Sequence, residues 1–249
     1  MKKILMPLPH IDFDPTETAV PWSHLNEKGY EIYFATPDGE PGEADGRMVT
    51  GKGLGILSGV LMARKDDVRL YNQMTASSSF RSPIKYDKIK ADSFDALLLP
   101  GGHAKGMRVY LESEILQKIT AAFFAEDRPV AAICHGVLLA ARSTNPKTGK
   151  SVLFGKRTTS LLRSQEMLAW NLTRSWLDDY YRTYPMPLQT EVESLLAKPE
   201  DFIEGPVPIA RDTFKNPSRG FTLREGNYLS ARWPGDAHKF AIEIPDLIG

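Results

Sequence analysis

The sequence predicts an α/β domain built on a doubly wound, mostly parallel sheet with helices on both faces. Short apolar runs alternate with segments of helical spacing from Lys3 to Arg142, the pattern of βαβ units. "FDALLLPGGH" is a continuous apolar run ending in Pro-Gly-Gly, as expected of a central parallel strand covered on both faces. With 249 residues, 42% of them hydrophobic, the chain can bury a full core.

Taken in order, Lys3 to Leu8 reads as a buried first strand and Thr16 to Lys28 as a helix, with Pro21 suited to a first helical turn. "YEIYFATP" is the second strand. A glycine-rich loop, "DGEPGEADG", precedes an amphipathic helix within Leu57 to Met74. After "FDALLLPGGH" come a helix from Ser113 to Glu126 and a strand from Val130 to Ile133. Beyond "NPKTGKS" the pattern becomes irregular. In "MLAWNLTRSWLDDYY", Leu168, Leu172 and Trp176 fall at helical spacing, and Trp170, Leu177, Tyr180 and Tyr181 widen the apolar face. Such a helix covers the sheet, forms a subunit contact or closes over a substrate. Prolines between Pro185 and Pro217 predict loops around one short helix near Glu191 to Leu196. "FTLREGNYLSAR" reads as the closing strand, and a last helix starts at about Gly235. The chain is thus read as one domain, 1–249, with a helical and loop insertion at about 161–219.

Lys plus Arg and Asp plus Glu each number 31, so the net charge is zero and no basic block favours nucleic acid or an anionic membrane. A small molecule or another protein is the expected partner. The apolar run in "MKKILMPLP" is too short for a signal peptide, and no stretch approaches the ~20 apolar residues of a membrane span. One cysteine excludes an internal disulfide, and a reducing, cytoplasmic setting is expected. "TGKGLGI" carries Ile56 where a dinucleotide turn needs glycine, and "TGKS" has Thr144 where a phosphate loop needs one. The five histidines, His10, His24, His103, His135 and His238, have no local zinc spacing, so neither a metal nor a cofactor is expected.

The single cysteine, Cys134 in "PVAAICHGVLLAAR", stands where a strand meets a helix. An isolated cysteine is commonly a small buried hydrophobe. Here the strand, Gly136 and the helical run Val137 to Arg142 place it on a sharp turn of the kind called a nucleophile elbow. At the start of a helix the thiol is expected to be acidified by the peptide dipoles and free backbone N–H groups. The Pro-Gly-Gly turn can bring the Gly102 N–H beside that of His135 as an oxyanion hole. Read alone, Glu17 is a first-turn glutamate that favours a helix start, and His135 is either a helix-start residue or a base.

"LLLPGGH", "AAICHG" and the early "ETAVP" resemble the ThiJ/PfpI superfamily, covering about Met1 to Ser160 and the closing strand and helix. The resemblance implies a flavodoxin-like, class I glutamine amidotransferase-like fold. It also implies a reactive group of Glu17, Cys134 and His135, closest to the glyoxalase III and protein deglycase branch. That branch implies conversion of methylglyoxal to lactate, or a related deglycase or hydrolase activity, on a small carbonyl substrate without metal or glutathione, in a homodimer. A stress-related holdase or redox sensor, and a thiol amidase or peptidase, are the alternatives. Relatives often place an acid to hold the histidine where this chain has Leu162, Arg163 and Ser164, which leaves Glu166 as the candidate. His238 is followed by Lys239 and Phe240 rather than the His-x-Glu of glutamine amidotransferases, which disfavours ammonia transfer.

Overall fold

The computed structural model describes residues 1–249. One sheet holds seven strands: β1 (Lys3–Pro7), β2 (Glu31–Thr36), β3 (Ile84–Lys85), β4 (Ala96–Leu99), β5 (Val130–Ile133), β6 (Thr222–Glu225) and β7 (Tyr228–Ala231), in the order β3-β2-β1-β4-β5-β7-β6. All neighbours are parallel except β6, which pairs antiparallel with β7. The central strands are buried along their whole length, "ALLL" of β4 and "VAAI" of β5 without alternation, because helices cover both faces. Leu97 stands opposite Val130 and Leu99 opposite Ala132, which sets the ends of β4 and β5 level with each other.

Seven longer helices surround the sheet: α1 (Pro15–Glu27), α2 (Lys65–Ala76), α3 (Glu114–Ala125), α4 (Gly136–Arg142), α5 (Arg163–Leu177), α6 (Leu188–Leu195) and α7 (Ala237–Ile248). One face carries α1 packed between α2 and α7; α3, α4 and α6 pack together on the other. No helix is long and apolar enough to cross a membrane.

Three sequence expectations change. Helix α1 starts at Pro15, capped by the Asp14 carboxylate, so Pro21 lies in its interior and not in its first turn. Proline lacks the N–H that would bond the carbonyl of Glu17 four residues earlier. The helix expected within Leu57 to Met74 is broken, because Ala63 leaves the helical ladder to donate to Met48 O at 2.8 Å; a short turn at Ser58–Leu61 precedes α2. "FTLREGNYLSAR" is two strands, β6 and β7, joined at Gly226, whose φ of 62° suits glycine.

Candidate active site

The carboxyl ends of three parallel strands converge on one cavity of about 330 Å³. From β1 the chain enters the loop that starts α1 and brings Asp14 and Glu17; from β4 it enters Gly102 and His103; from β5 it enters Cys134. Such a crevice forms where the winding of an open sheet reverses, here between β1, which continues outward to β2, and β4 on its other side.

Cys134 has φ 56°, the left-handed region that residues with a Cβ rarely adopt. The packing around it enforces that angle. The Cys134 N–H donates to Ala231 O at 3.1 Å, and a Cβ on Gly136 would lie 2.0 Å from Leu99 O, so the turn meets the end of β4 backbone to backbone. Cys134 is only 3% exposed, and its turn opens on the cavity.

Glu17 is fully buried beside the thiol. Its Oε2 accepts the Gly101 N–H at 3.0 Å, its carboxyl lies against the Cys134 side chain, and Oε1 has no hydrogen-bond partner. A Cβ on Gly101 would sit 2.7 Å from Glu17 Oε2 and 2.9 Å from Cys134 Cβ, so the two side chains meet only because that position is bare. Burial pushes Glu17 well above the usual carboxylate range, with Asp14 adding repulsion. Burial also lifts the Cys134 thiol well above its ordinary value, Glu17 and Asp14 push the same way, and the His135 N–H opposes them. The acidified thiol expected from a helix start is therefore reversed: lost hydration and two neighbouring carboxyls outweigh the helix terminus. Two buried acids in contact cannot both ionise, so Glu17 and Cys134 hold at least one proton between them.

His135 lies behind the thiol, with Nδ1 3.4 Å from Cys134 Sγ and Nε2 2.9 Å from Thr183 Oγ1. The Thr183 hydroxyl donates to His103 O, so its oxygen accepts from His135 Nε2–H and leaves Nδ1 as the acceptor facing the S–H. Burial drops His135 to about 3, so its ring is neutral. Glu166, the candidate partner from sequence, instead accepts the Leu188 N–H at 2.9 Å and pairs with Arg182 at 3.2 Å. Its place on α5 serves the start of α6, and Thr183 takes the role of holding His135. Neither the Gly102 nor the His135 N–H bonds a backbone carbonyl, and the His135 N–H is directed at the Cys134 sulfur.

Helix α5 does not cover the sheet. Leu168 and Leu172 project from it half exposed and line the cavity wall. Sequence reasoning missed three neighbours. Asp14 was legible as the cap of a Pro-started helix, and burial raises it to about 6 despite the amides it accepts. His103 follows the Pro-Gly-Gly turn and stacks on Tyr181, with ring centroids 4.4 Å apart. Thr183 comes from a segment without periodicity and carried no signal. No group of three His, Cys, Asp or Glu side chains is placed to hold a metal ion.

Comparison with known proteins gives the same outline. A family model described as ThiJ/PfpI family-like matches residues 8–206. Deglycase PfpI of Pyrococcus furiosus is 29% identical over 169 residues, 67% of this chain and 76% of that protein. Glyoxalase 3 of Candida albicans is 27% identical over 147 residues, 57% of each protein. The crystal structure of glyoxalase III from Candida albicans superposes with a TM-score of 0.72 at 19% identity, covering 99% of this chain and 97% of that one, a likeness of fold. With most of its length matched and the elbow cysteine seated at the switch point of a flavodoxin-like sheet, the chain belongs to the ThiJ/PfpI family.

Proposed function

We propose that the protein is a cysteine enzyme that converts small 2-oxoaldehydes to 2-hydroxy acids without glutathione, methylglyoxal giving lactate. One observation carries this reading: the Cys134 thiol and the fully buried Glu17 carboxyl meet at the wall of a single cavity, which Gly102 also lines. The names of its deglycase and glyoxalase relatives support the same chemistry.

The geometry suggests a balanced sequence of steps. Cys134 Sγ bonds to the aldehyde carbon while the proton shared with Glu17 passes to the aldehyde oxygen, giving a hemithioacetal and a Glu17 carboxylate. The Gly102 and His135 N–H groups steady the negative oxygen as it forms. Glu17 then takes the hydrogen from the aldehyde carbon and returns it to the neighbouring carbon, while the hydroxyl hydrogen moves from the first oxygen to the second. This leaves a thioester. Water cleaves its C–S bond, releasing the 2-hydroxy acid and restoring one shared proton to the pair. Neutral His135 keeps the thiol aimed through Nδ1, and Thr183 fixes its tautomer.

A peroxide sensor is a poorer match, because oxidation needs a low-pKa, accessible thiolate and Cys134 is buried and raised. Lactate formation from methylglyoxal, assayed without metal or glutathione, tests the proposal. Wild type is expected to turn over and Cys134→Ala to lose activity; equal rates from both would remove the thiol from the reaction.

A further inference from the structure

The cavity is wider and more apolar than methylglyoxal requires. Eleven of its twenty lining residues are hydrophobic. Its outer wall is built by three separate segments: Val60 and Leu61 from the turn before α2, Leu168 and Leu172 from α5, and Ile209 from the loop before β6. Val60 is 71% exposed, Leu168 59%, Leu172 50% and Ile209 89%. Large apolar side chains scattered singly on a surface need no explanation, but four gathered on the rim of one cavity form a patch. Cys134, only 3% exposed, lines the same cavity. At about 330 Å³ the space lies within the range of small-ligand clefts, roughly 300–1,000 Å³. A single methyl group on an oxoaldehyde held at Cys134 leaves the rim uncovered.

The geometry points to a preference for reactive carbonyl compounds whose carbonyl carries a bulky apolar substituent, of aryl or medium-alkyl size, over methylglyoxal itself. This rests on Cys134 as the reacting group of the proposed function. The substituent lies between α5 and the 60–61 and 209 segments and covers apolar surface that the free protein leaves wet. Each methylene so buried favours binding by roughly fourfold, the equivalent of about 0.8 kcal/mol.

Two measurements separate this preference from the reaction itself. The first compares kcat/KM for methylglyoxal and phenylglyoxal, where phenylglyoxal is expected to be favoured by tenfold or more. The second does not depend on turnover. Because Cys134 is the sole cysteine, its alkylation by iodoacetamide, N-hexyl-iodoacetamide and N-benzyl-iodoacetamide reports on this cavity alone. With each rate divided by that of glutathione with the same reagent, the hexyl and benzyl reagents are expected to react at least tenfold faster than iodoacetamide. Leu172→Asp is expected to bring that ratio towards one. Ile209→Asp, at a site too exposed to matter for folding, gives the same result if the first variant folds poorly. Absent turnover of both oxoaldehydes with a strong chain-length effect on alkylation would sink the reaction and keep the preference. Alkylation ratios near one in the wild type, as when a second copy of the chain covers the rim, would overturn the preference.

Discussion

Cys134 and Glu17 are buried in contact and do not both ionise, and this sets how each behaves with pH. Burial and Glu17 both lift the thiol, so alkylation of Cys134 by iodoacetamide is expected to rise with pH through an inflection at or above the ~8.5 of a free thiol. Glu17→Gln removes the like charge, and its inflection is expected to move lower. An inflection well below that of glutathione in the wild type would contradict the shared-proton pair. His135 gives a second test. Its folded value, about 3, lies below the unfolded value of about 6.5, so its contribution to stability is intact above 6.5 and is lost as pH falls towards 3. The loss is about 1.4 kcal/mol per pH unit within that window. Asp14 acts in the opposite sense: its folded value is raised to about 6, so stability from its protonation grows as pH falls from 6 towards 4. The difference between wild type and His135→Gln isolates the histidine, and urea denaturation from pH 7 to pH 4 is expected to show that difference shifting steadily towards the variant. A difference independent of pH would mean that His135 titrates alike in the folded and unfolded protein, as a solvated ring does.

The elbow works because two elements approach more closely than side chains permit. Strand β4 ends at Leu99, helix α4 begins at Gly136, and the missing Cβ is what lets the carbonyl of one lie against the Cα of the other. Gly136→Ala is expected to cost about 1–3 kcal/mol, the scale of overpacking against atoms that cannot yield. Gly59→Ala is the control, since nothing lies within 4 Å of a Cβ there and it is expected to be neutral or slightly stabilising. Equal effects in chemical denaturation would show that the contact with Leu99 is not tight. Helices and strands also differed in how well the sequence announced them. Strands β4 and β5 were plain as unbroken apolar runs, and the Cys134 turn followed from where β5 stops. The break at Met62 to Arg64 was hidden, because Ala63 leaves the helix only to meet Met48, a partner that local spacing does not encode. Pro21 lies inside α1 because Asp14 and Pro15 set the start of the helix, a capping signal that apolar spacing does not carry.

Two strands and a helix at the far edge of the sheet are fastened by one buried ion pair. Arg232 follows β7 and is 1% exposed; its Nε and Nη2 bond the two Asp236 oxygens at 2.8 and 3.0 Å. Its Nη1 reaches Glu204 O and Pro206 O, which ties the 204–206 loop to the start of α7, and Asp236 also accepts the Phe221 N–H beside β6. Asp236→Ala strands a buried guanidinium and is expected to cost about 3–5 kcal/mol, lowering Tm by on the order of 10 °C in a chain of this size. A calorimetric scan with Tm unchanged would show that water reaches Arg232. This pairing was not legible beforehand, since "RWPGDA" has no periodicity and the bonds from Arg232 to Glu204 O and Pro206 O join segments far apart in the chain. The same limit explains the site. Cys134 and Gly102 could be named from local turns, and Glu17 and His135 from the family resemblance, whereas the crowding that raises the thiol and the Thr183 contact that replaces Glu166 depend on segments far apart in the chain. The measurement that bears most directly on the whole scheme is the rate of lactate formation from methylglyoxal by Glu17→Gln, without glutathione. A fall of roughly a hundredfold or more, with the fold intact by circular dichroism and Cys134 still open to alkylation, is the expected result for a proton-carrying carboxyl; turnover at the wild-type rate would contradict it.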